Sequence, residues 1–146
     1  MKKLLLTAAI TFVSVVSFTQ TVNKITFNGD GNLYVISYQV DDNAVLNIKE
    51  DGTIIEWGVD FYQERGMDNY QGRLDKFMGR VEYYDTAQNE AFRGKVKYIG
   101  KTLITYYASF DGDDYKGKIK SIGTSNMDYY RTYEDAAYKG KLKTSG

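Results

Sequence analysis

Tyrosine and lysine recur at a fixed spacing in the second half of the chain, and both side chains can bind ligands. Two sets of three residues follow one another in steps of 23: Tyr84, Tyr107 and Tyr130, and Lys95, Lys118 and Lys141. An exposed tyrosine ring can stack on a sugar or a cation, and a row of ammonium groups can hold an anionic glycan or lipid headgroup. These six side chains are therefore the candidate binding residues.

The same residues also have a purely structural interpretation. Lysine stems can cover tyrosine rings on a solvated face. Because neighbouring strand residues point to opposite faces, one tyrosine of each Tyr-Tyr pair is expected to be buried and the other exposed. The first of each pair is the predicted buried one, because Ala108 and Phe110 share its parity after Tyr106. The column formed by Tyr84, Tyr107 and Tyr130 is then the exposed one.

Catalytic chemistry is strongly restricted, because the chain contains neither His nor Cys. This excludes a Ser-His-Asp triad, a thiolate nucleophile and the usual zinc sites. Carboxylate pairs of the glycosidase type remain, but the acidic residues lie mainly in turns, where solvation makes them poor general acids. The acidic turns 28–32 and 111–114 could recruit calcium, although positive φ explains such Asp-Gly and Asn-Gly turns as well. We predict no catalytic residue, no metal site and no cofactor.

The elements that position the candidate residues are repeats of about 23 residues. In each repeat an aromatic residue precedes a glycine by two positions: Tyr70 and Gly72, Phe92 and Gly94, Tyr115 and Gly117, and Tyr138 and Gly140. A period of this length marks an architecture in which each unit buries its apolar face against its neighbours. Each repeat is predicted to contain two antiparallel strands, the first of the 115–120 kind and the second of the 103–110 kind. The aromatic ring is predicted to lie over bare glycine backbone within the first strand.

Hairpin signals fill the first half of the chain. Runs rich in β-branched and aromatic residues at 21–27, 32–39, 44–49 and 53–59 alternate with turns containing Asn, Asp and Gly. Residues 60–69 break this regularity and are read as a frayed strand and a loop. The predicted fold is all-β, an antiparallel β-meander that forms an open twisted sheet, with a closed up-and-down barrel as the alternative.

Residues 70–146 resemble MORN repeats, which are antiparallel hairpin units stacked into an elongated sheet. The resemblance rests on the Tyr-x-Gly-x-apolar pattern, for example Tyr115, Gly117 and Ile119. MORN units carry a large residue where this chain has Ile, and a Gly-x-Gly where it has the Tyr pair. The resemblance implies a non-catalytic role in scaffolding or at membranes.

The N-terminus indicates export. Residues 1–19 combine Lys2 and Lys3 with an apolar run and small residues near a cleavage point, and are predicted to be a signal peptide. A transmembrane anchor is the alternative, but the run is shorter than the ~20 residues that a bilayer needs. Residues 20–146 are predicted to form one domain, with degenerate hairpins at 20–69, regular repeats at 70–146 and no transmembrane segment. The predicted location is periplasmic or secreted.

Charge is distributed unevenly along the predicted domain. Residues 21–90 carry 6 basic and 13 acidic side chains, whereas residues 91–146 carry 11 basic and 6 acidic. The acidic half would repel phosphate, so a nucleic-acid partner is not expected. Head-to-tail self-association of the opposite charges is a further hypothesis.

These features together predict an exported, non-enzymatic β-repeat module that interacts with a protein or a component of the cell envelope. The alternative is binding of a glycan or small ligand through an exposed Tyr/Lys face.

Overall fold

The computed structural model describes residues 21–27, 29, 31, 33–41, 43–60 and 74–146. The predicted signal peptide, the irregular segment 61–69, Tyr70 and Gly72 lie outside the described residues. Within the described part of the chain the regular secondary structure is entirely β. No helix in this part is long and apolar enough to cross a membrane.

The first half of the chain forms a four-stranded antiparallel sheet in sequential order. Its strands are β1 (Val22–Phe27), β2 (Leu33–Asp41), β3 (Ala44–Ile48) and β4 (Ile54–Val59). The predicted hairpin segments match these strands within one or two residues at each end. Gly52 has a φ of +79° in the β3–β4 turn, a conformation that glycine adopts readily and other residues rarely do.

The repeats form a second, six-stranded antiparallel sheet, also in sequential order. Its strands are β5 (Val81–Tyr83), β6 (Val96–Ile99), β7 (Thr102–Tyr106), β8 (Ile119–Ile122), β9 (Ser125–Tyr129) and β10 (Leu142–Ser145). An antiparallel bridge between Val59 and Asp75 connects the end of β4 to the segment before β5. The predicted all-β antiparallel meander is confirmed.

Both sheets are open, because no pairing among the described residues joins β1 to β10. The closed-barrel alternative is therefore wrong. The meander divides into two sheets whose apolar faces share one core, in which Leu46 and Ile48 of the first sheet pack with Ile104 and Ile122 of the second. Covering each face with the other sheet removes the apolar surface that one flat sheet would leave in water.

A polar contact inside the core fixes how the two sheets meet. Tyr38 of β2 is fully buried, and its hydroxyl lies 2.5 Å from Oγ of Ser145 and 3.6 Å from the sulfur of Met127. A buried hydroxyl without a partner is costly, so this geometry favours one alignment of the sheets over others.

The Tyr-x-Gly segments differ from their prediction. Each of the strands β6, β8 and β10 begins two residues after the glycine, so the predicted strand 115–120 is a turn up to Lys118 followed by β8. Gly94, Gly117 and Gly140 have φ values of +75°, +74° and +75°. The glycines are therefore required for a left-handed turn conformation, not for a bend within a strand.

No aromatic ring is among the atoms nearest to a Cβ built on these three glycines, and because they lie in turns, the predicted ring-over-glycine contact within a strand is wrong. A Cβ atom built on Gly117 would lie 2.7 Å from the carbonyl oxygen of Ala91, and one built on Gly140 would lie 2.9 Å from Nζ of Lys118. Around Gly94 there is open space. The aromatic residue two positions earlier packs instead against the tyrosines of the Tyr pairs.

The return strands are also shorter than predicted. The segment expected at 103–110 is β7, which ends at Tyr106, the first tyrosine of its pair. The second tyrosine begins the loop, where Tyr107 N donates to the Lys118 carbonyl at 2.9 Å and Gly117 N donates to the Tyr107 carbonyl at 3.0 Å. The other two repeats make the equivalent bonds, so each loop is closed in the same way.

Candidate functional site

The second tyrosines do not form an exposed column. Tyr84, Tyr107 and Tyr130 are all half-buried. The Tyr84 hydroxyl donates to the carbonyl of Ile104 at 2.9 Å, and the Tyr107 hydroxyl donates to that of Met127 at 2.8 Å. The hydroxyls of Tyr84 and Tyr107 thus tie their repeats to the next. The predicted binding role of the three rings stays a prediction.

The first tyrosines are buried as predicted in two of the three pairs. Tyr106 is 7% exposed and Tyr129 is fully buried, whereas Tyr83 is 55% exposed. The hydroxyls of Tyr106 and Tyr129 donate to the carbonyls of Val96 and Ile119 at 2.9 and 2.8 Å. Tyr83 is the exception because its strand, β5, ends the second sheet.

Aromatic rings pack in the same pattern in successive repeats. The ring centroids of Tyr84 and Phe92 are 4.8 Å apart, and those of Tyr107 and Tyr115 are 4.7 Å apart. The ring two positions before the glycine also lies 6.3 Å from the first tyrosine of the next pair, both for Phe92 and for Tyr115. Packing of this kind stabilises the repeat interface beyond simple burial.

Lys95 and Lys118 occupy equivalent positions and make equivalent contacts. Nζ of Lys95 donates to the carbonyl of Gly117, and Nζ of Lys118 donates to that of Gly140 at 2.5 Å. Each ammonium also lies over a buried tyrosine ring, 5.2 Å from the centroid of Tyr106 and 4.8 Å from that of Tyr129. Burial lowers the pKa of both lysines. Lys118 is half-buried and Lys95 remains exposed, so each ammonium keeps part of its hydration.

Lys141, the third member of this set, differs in its partner. Its Nζ lies 3.3 Å from a carboxylate oxygen of Glu50 in the β3–β4 turn. This ion pair compensates the charge of Lys141, whereas the ammonium groups of Lys95 and Lys118 form no ion pair within 4 Å among the described residues.

A second set of lysines covers the half-buried tyrosines. Nζ of Lys97, Lys120 and Lys143 lies 5.6, 5.4 and 5.5 Å from the ring centroids of the second tyrosines in their repeats. These contacts confirm that lysine stems cover tyrosine rings along this face.

A cleft of about 530 Å³ lies between the two sheets. The first sheet contributes the β3–β4 turn from Asp51 and the single tryptophan of the chain, Trp57. The second sheet contributes the exposed Tyr83, the ring of Tyr106 and three lysines: Lys95, Lys116 and Lys118. The structure thus brings two predicted lysines into one concave site but leaves Lys141 and the three predicted tyrosines outside its lining.

The β3–β4 turn is held against the second sheet and so forms one wall of the cleft. The Leu142 N–H donates to the Glu50 carbonyl at 2.5 Å, beside the ion pair between Glu50 and Lys141. Gly52 packs directly on the ring of Tyr129. The wall is therefore positioned by contacts with the last repeat.

A second concavity continues the cleft. It has a volume of about 550 Å³ and shares Trp57 and Tyr83 with the first. The rest of its lining is Lys76, Phe77, Met78, Gly79 and Val81. The two concavities adjoin at the shared rings of Trp57 and Tyr83 and together form a groove lined by aromatic rings and lysine side chains. Elongated ligands fit such a groove better than compact ones do.

Positive charge dominates the lining of the cleft. Asp51 is the one carboxylate among the described lining residues, against three lysines. Lys116 is paired with Glu90 at 2.8 Å, and this contact lowers the pKa of Glu90. The exposed Lys95 and the half-buried Lys118 remain as two cations without an ion pair in the described part of the chain, with Asp51 and Asp114 near Lys118 as local counter-charges.

None of the carboxyl pKa shifts resolved in the described residues is upward. The pKa shifts resolved for Glu90, Asp114 and Glu134 are all downward, caused first by hydrogen bonds to Lys116, Thr132 and Lys143. A general acid needs a raised pKa near the working pH instead. In the described part of the chain no group of three or more acidic side chains could hold a metal ion.

Trp57 and Tyr83 are binding candidates that sequence reasoning missed. Each lies in a short strand whose local pattern indicates only a half-buried position. Two signals in the sequence could have indicated them. Trp57 is the only tryptophan in the chain, and Tyr83 belongs to the first Tyr pair, at the end of the repeat array.

The buried tyrosines predict an alkaline transition. Burial raises the pKa of Tyr106 and Tyr129 far above the ordinary value of 10.0. The unfolded chain therefore loses these protons first, so the stabilisation is complete below pH 10 and is lost above it. Burial lowers the pKa of Lys95 and Lys118, so these lysines affect stability in the opposite sense: the cost of burying their charge is relieved as the pH rises towards 10.5. Their pKa shifts are smaller than those of the two tyrosines.

Tyrosinate absorbance and circular dichroism, followed together during an alkaline titration, check this prediction. The exposed tyrosines are expected to ionise first, and Tyr106 and Tyr129 only as β-structure is lost. Ionisation of all 14 tyrosines with the fold intact would contradict it.

No family model matches the sequence, and no curated protein or solved structure shows significant similarity to it. The resemblance to MORN repeats therefore stays a prediction.

Proposed function

We propose that this chain is an exported, non-enzymatic β-repeat module that binds a saccharide of the cell envelope or its surroundings in the cleft between its two sheets. The observation that carries this proposal is the juxtaposition of Trp57 and Tyr83 with the ammonium groups of Lys95 and Lys118. This proposal combines the two functions predicted from the sequence, interaction with the cell envelope and glycan binding. The proposed binding surface is the cleft, not the column of second tyrosines.

The shape and composition of the cleft support a saccharide. Ligand sites are concave, have predominantly aromatic and apolar linings and hold a few convergent polar groups. Rings such as those of Trp57 and Tyr83 offer flat faces to the C–H faces of sugars, while lysine ammonium groups donate hydrogen bonds to their oxygens. The continuation past Trp57 suits a chain of several sugars.

The non-enzymatic part of the proposal rests on the chemistry of the side chains. Neither His nor Cys is available in the sequence, and the resolved carboxyl pKa shifts favour ionised groups that cannot act as acids. Export rests on the pattern of residues 1–19 alone.

Substituting Tyr83 with Ser tests the proposal on an array of neutral and acidic oligosaccharides. The wild-type protein is expected to bind, and Tyr83→Ser is expected to weaken binding about tenfold, or ~1.4 kcal/mol, because a stacking face is lost. Tyr34→Ser is the matched control, since Tyr34 is similarly exposed at 60% but does not line the cleft. An array on which no saccharide is bound, or equal losses in both variants, would contradict the proposal.

A further inference from the structure

We infer that the ligand of the cleft is an acidic oligosaccharide, one whose sugars carry carboxylate or sulfate groups. This inference rests on the proposed function and specifies its ligand class. It is carried by two ammonium groups, those of Lys95 and Lys118, which face the same cleft without an ion-pair partner among the described residues.

These lysines differ from ordinary surface lysines in being held in place. Each ammonium is fixed by a hydrogen bond to a glycine carbonyl and by a tyrosine ring beneath it. An ammonium group has three N–H donors, so two donors of each remain to meet a ligand. A cation that is already positioned loses little conformational entropy when an anion binds.

A hydrogen bond to a neutral backbone carbonyl compensates the charge of a lysine ammonium group only in part. The glycine carbonyls provide dipoles, and Asp51 and Asp114 lie near Lys118 without forming an ion pair with it. A carboxylate or sulfate of a ligand would provide a full opposite charge in direct hydrogen-bond contact, and hydrogen bonds between charged groups are the strong ones. Burial lowers the pKa of both lysines, and for Lys118 the nearby Asp51 and Asp114 offset this shift in part.

The repeat sets the spacing of the two charges. Lys95 immediately precedes β6 and Lys118 immediately precedes β8, with β7 between these strands. Two strand spacings separate the positions by about 9.5 Å. A ligand with acid groups spaced along an extended chain can therefore contact both ammonium groups. A compact ligand with one acid group can contact only one of them.

The array of cations ends at the next repeat, where Glu50 neutralises Lys141. At the other end, Trp57 and Tyr83 offer ring faces to sugars. The combination of aromatic faces with two positioned cations favours an acidic saccharide over a lipid surface, which would require an exposed and flat basic patch.

Isothermal titration calorimetry with oligogalacturonate and with its fully methyl-esterified form tests the inference. The two ligands share one sugar backbone and differ in charge. We expect the acid form to bind the wild-type protein about a hundredfold more tightly, with an affinity that falls as salt is added. This comparison needs no variant, so it does not depend on the folding of one.

Lys95→Met combined with Lys118→Met provides the second arm. Methionine retains much of the apolar stem over the tyrosine rings, and the double variant is expected to bind both forms equally weakly. Lys97→Met combined with Lys120→Met is the matched control, since these lysines also cover tyrosine rings but do not line the cleft. The control is expected to retain the preference for the acid form.

The outcomes separate this inference from the proposed function. Equal binding of both forms, sensitive to Tyr83→Ser, would overturn the acidic class and leave saccharide binding in the cleft intact. Binding of neither form, or binding that Tyr83→Ser does not affect, would overturn the inference, and if no other saccharide binds it would overturn the proposed function too. Equally tight binding of a DNA oligomer of matched charge would show that charge alone is recognised, and would overturn the saccharide class.

Discussion

Replacing Tyr129 with Ala is expected to lower the free energy of unfolding by about 3–5 kcal/mol, the range for removing a large aromatic side chain from a core. The Tyr129 side chain is fully buried, and its ring lies 6.3 Å from those of Tyr107 and Tyr115. Its removal also leaves the carbonyl of Ile119 without the hydroxyl that donates to it at 2.8 Å. Chemical denaturation followed by circular dichroism measures the change.

Tyr83→Ala is the matched control for this prediction. Tyr83 is the first tyrosine of its pair, as Tyr129 is, but it is 55% exposed at the end of the second sheet. Its loss is expected to cost less than about 1 kcal/mol, as for most exposed positions. A similar loss of unfolding free energy in Tyr129→Ala and Tyr83→Ala would contradict the packing of the repeats described above.

Gly52→Ala is expected to lower the free energy of unfolding by about 2–5 kcal/mol through two additive effects. The φ of +79° costs an alanine about 1–2 kcal/mol. The new Cβ would also lie 2.7 Å from Cζ of Tyr129, and such overpacking costs about 1–3 kcal/mol. The measurement is again equilibrium unfolding.

Gly94→Ala separates the two effects. Gly94 has a φ of +75° but nothing within 4 Å of an added Cβ, so the conformational cost alone, about 1–2 kcal/mol, is expected there. In a Tyr129→Ala background the steric part of the Gly52→Ala cost should disappear, giving a coupling of about 1–3 kcal/mol. Strict additivity would show that the β3–β4 turn does not rest on Tyr129 in solution.

Local patterns in the sequence account for most of the fold. Alternating residues and Asn, Asp and Gly turns determine where β1 to β4 lie, because hairpins depend on neighbours in the chain. The division into two sheets is not local. It depends on contacts such as that between Tyr38 and Ser145, which are 107 residues apart.

The Tyr-x-Gly segments show why alternation alone misleads. Tyr115, Gly117 and Ile119 have the period of a strand, yet Gly117 lies in a turn closed by its bond to the Tyr107 carbonyl. A glycine with positive φ and a glycine within a strand have the same letter in the sequence, and only the backbone hydrogen bonds distinguish them.

The candidate site was predictable in part. The repeat correctly marks Lys95 and Lys118 as equivalent, and both line the cleft. It also marks Tyr84 and Tyr107, whose hydroxyls bond instead to carbonyls 20 residues ahead in the next repeat. Trp57 was missed because its place in the site depends on how the edges of two sheets meet, which no local pattern reports.

Collisional quenching of Trp57 fluorescence by acrylamide, measured with and without bound oligosaccharide, tests most directly whether the cleft is the binding surface. Trp57 is the only tryptophan in the chain, so the signal has one origin. Bound saccharide is predicted to protect Trp57 from the quencher in the wild-type protein and in the Tyr34→Ser variant. Saccharide binding that is detected by calorimetry but leaves the quenching of Trp57 unchanged would place the binding surface elsewhere.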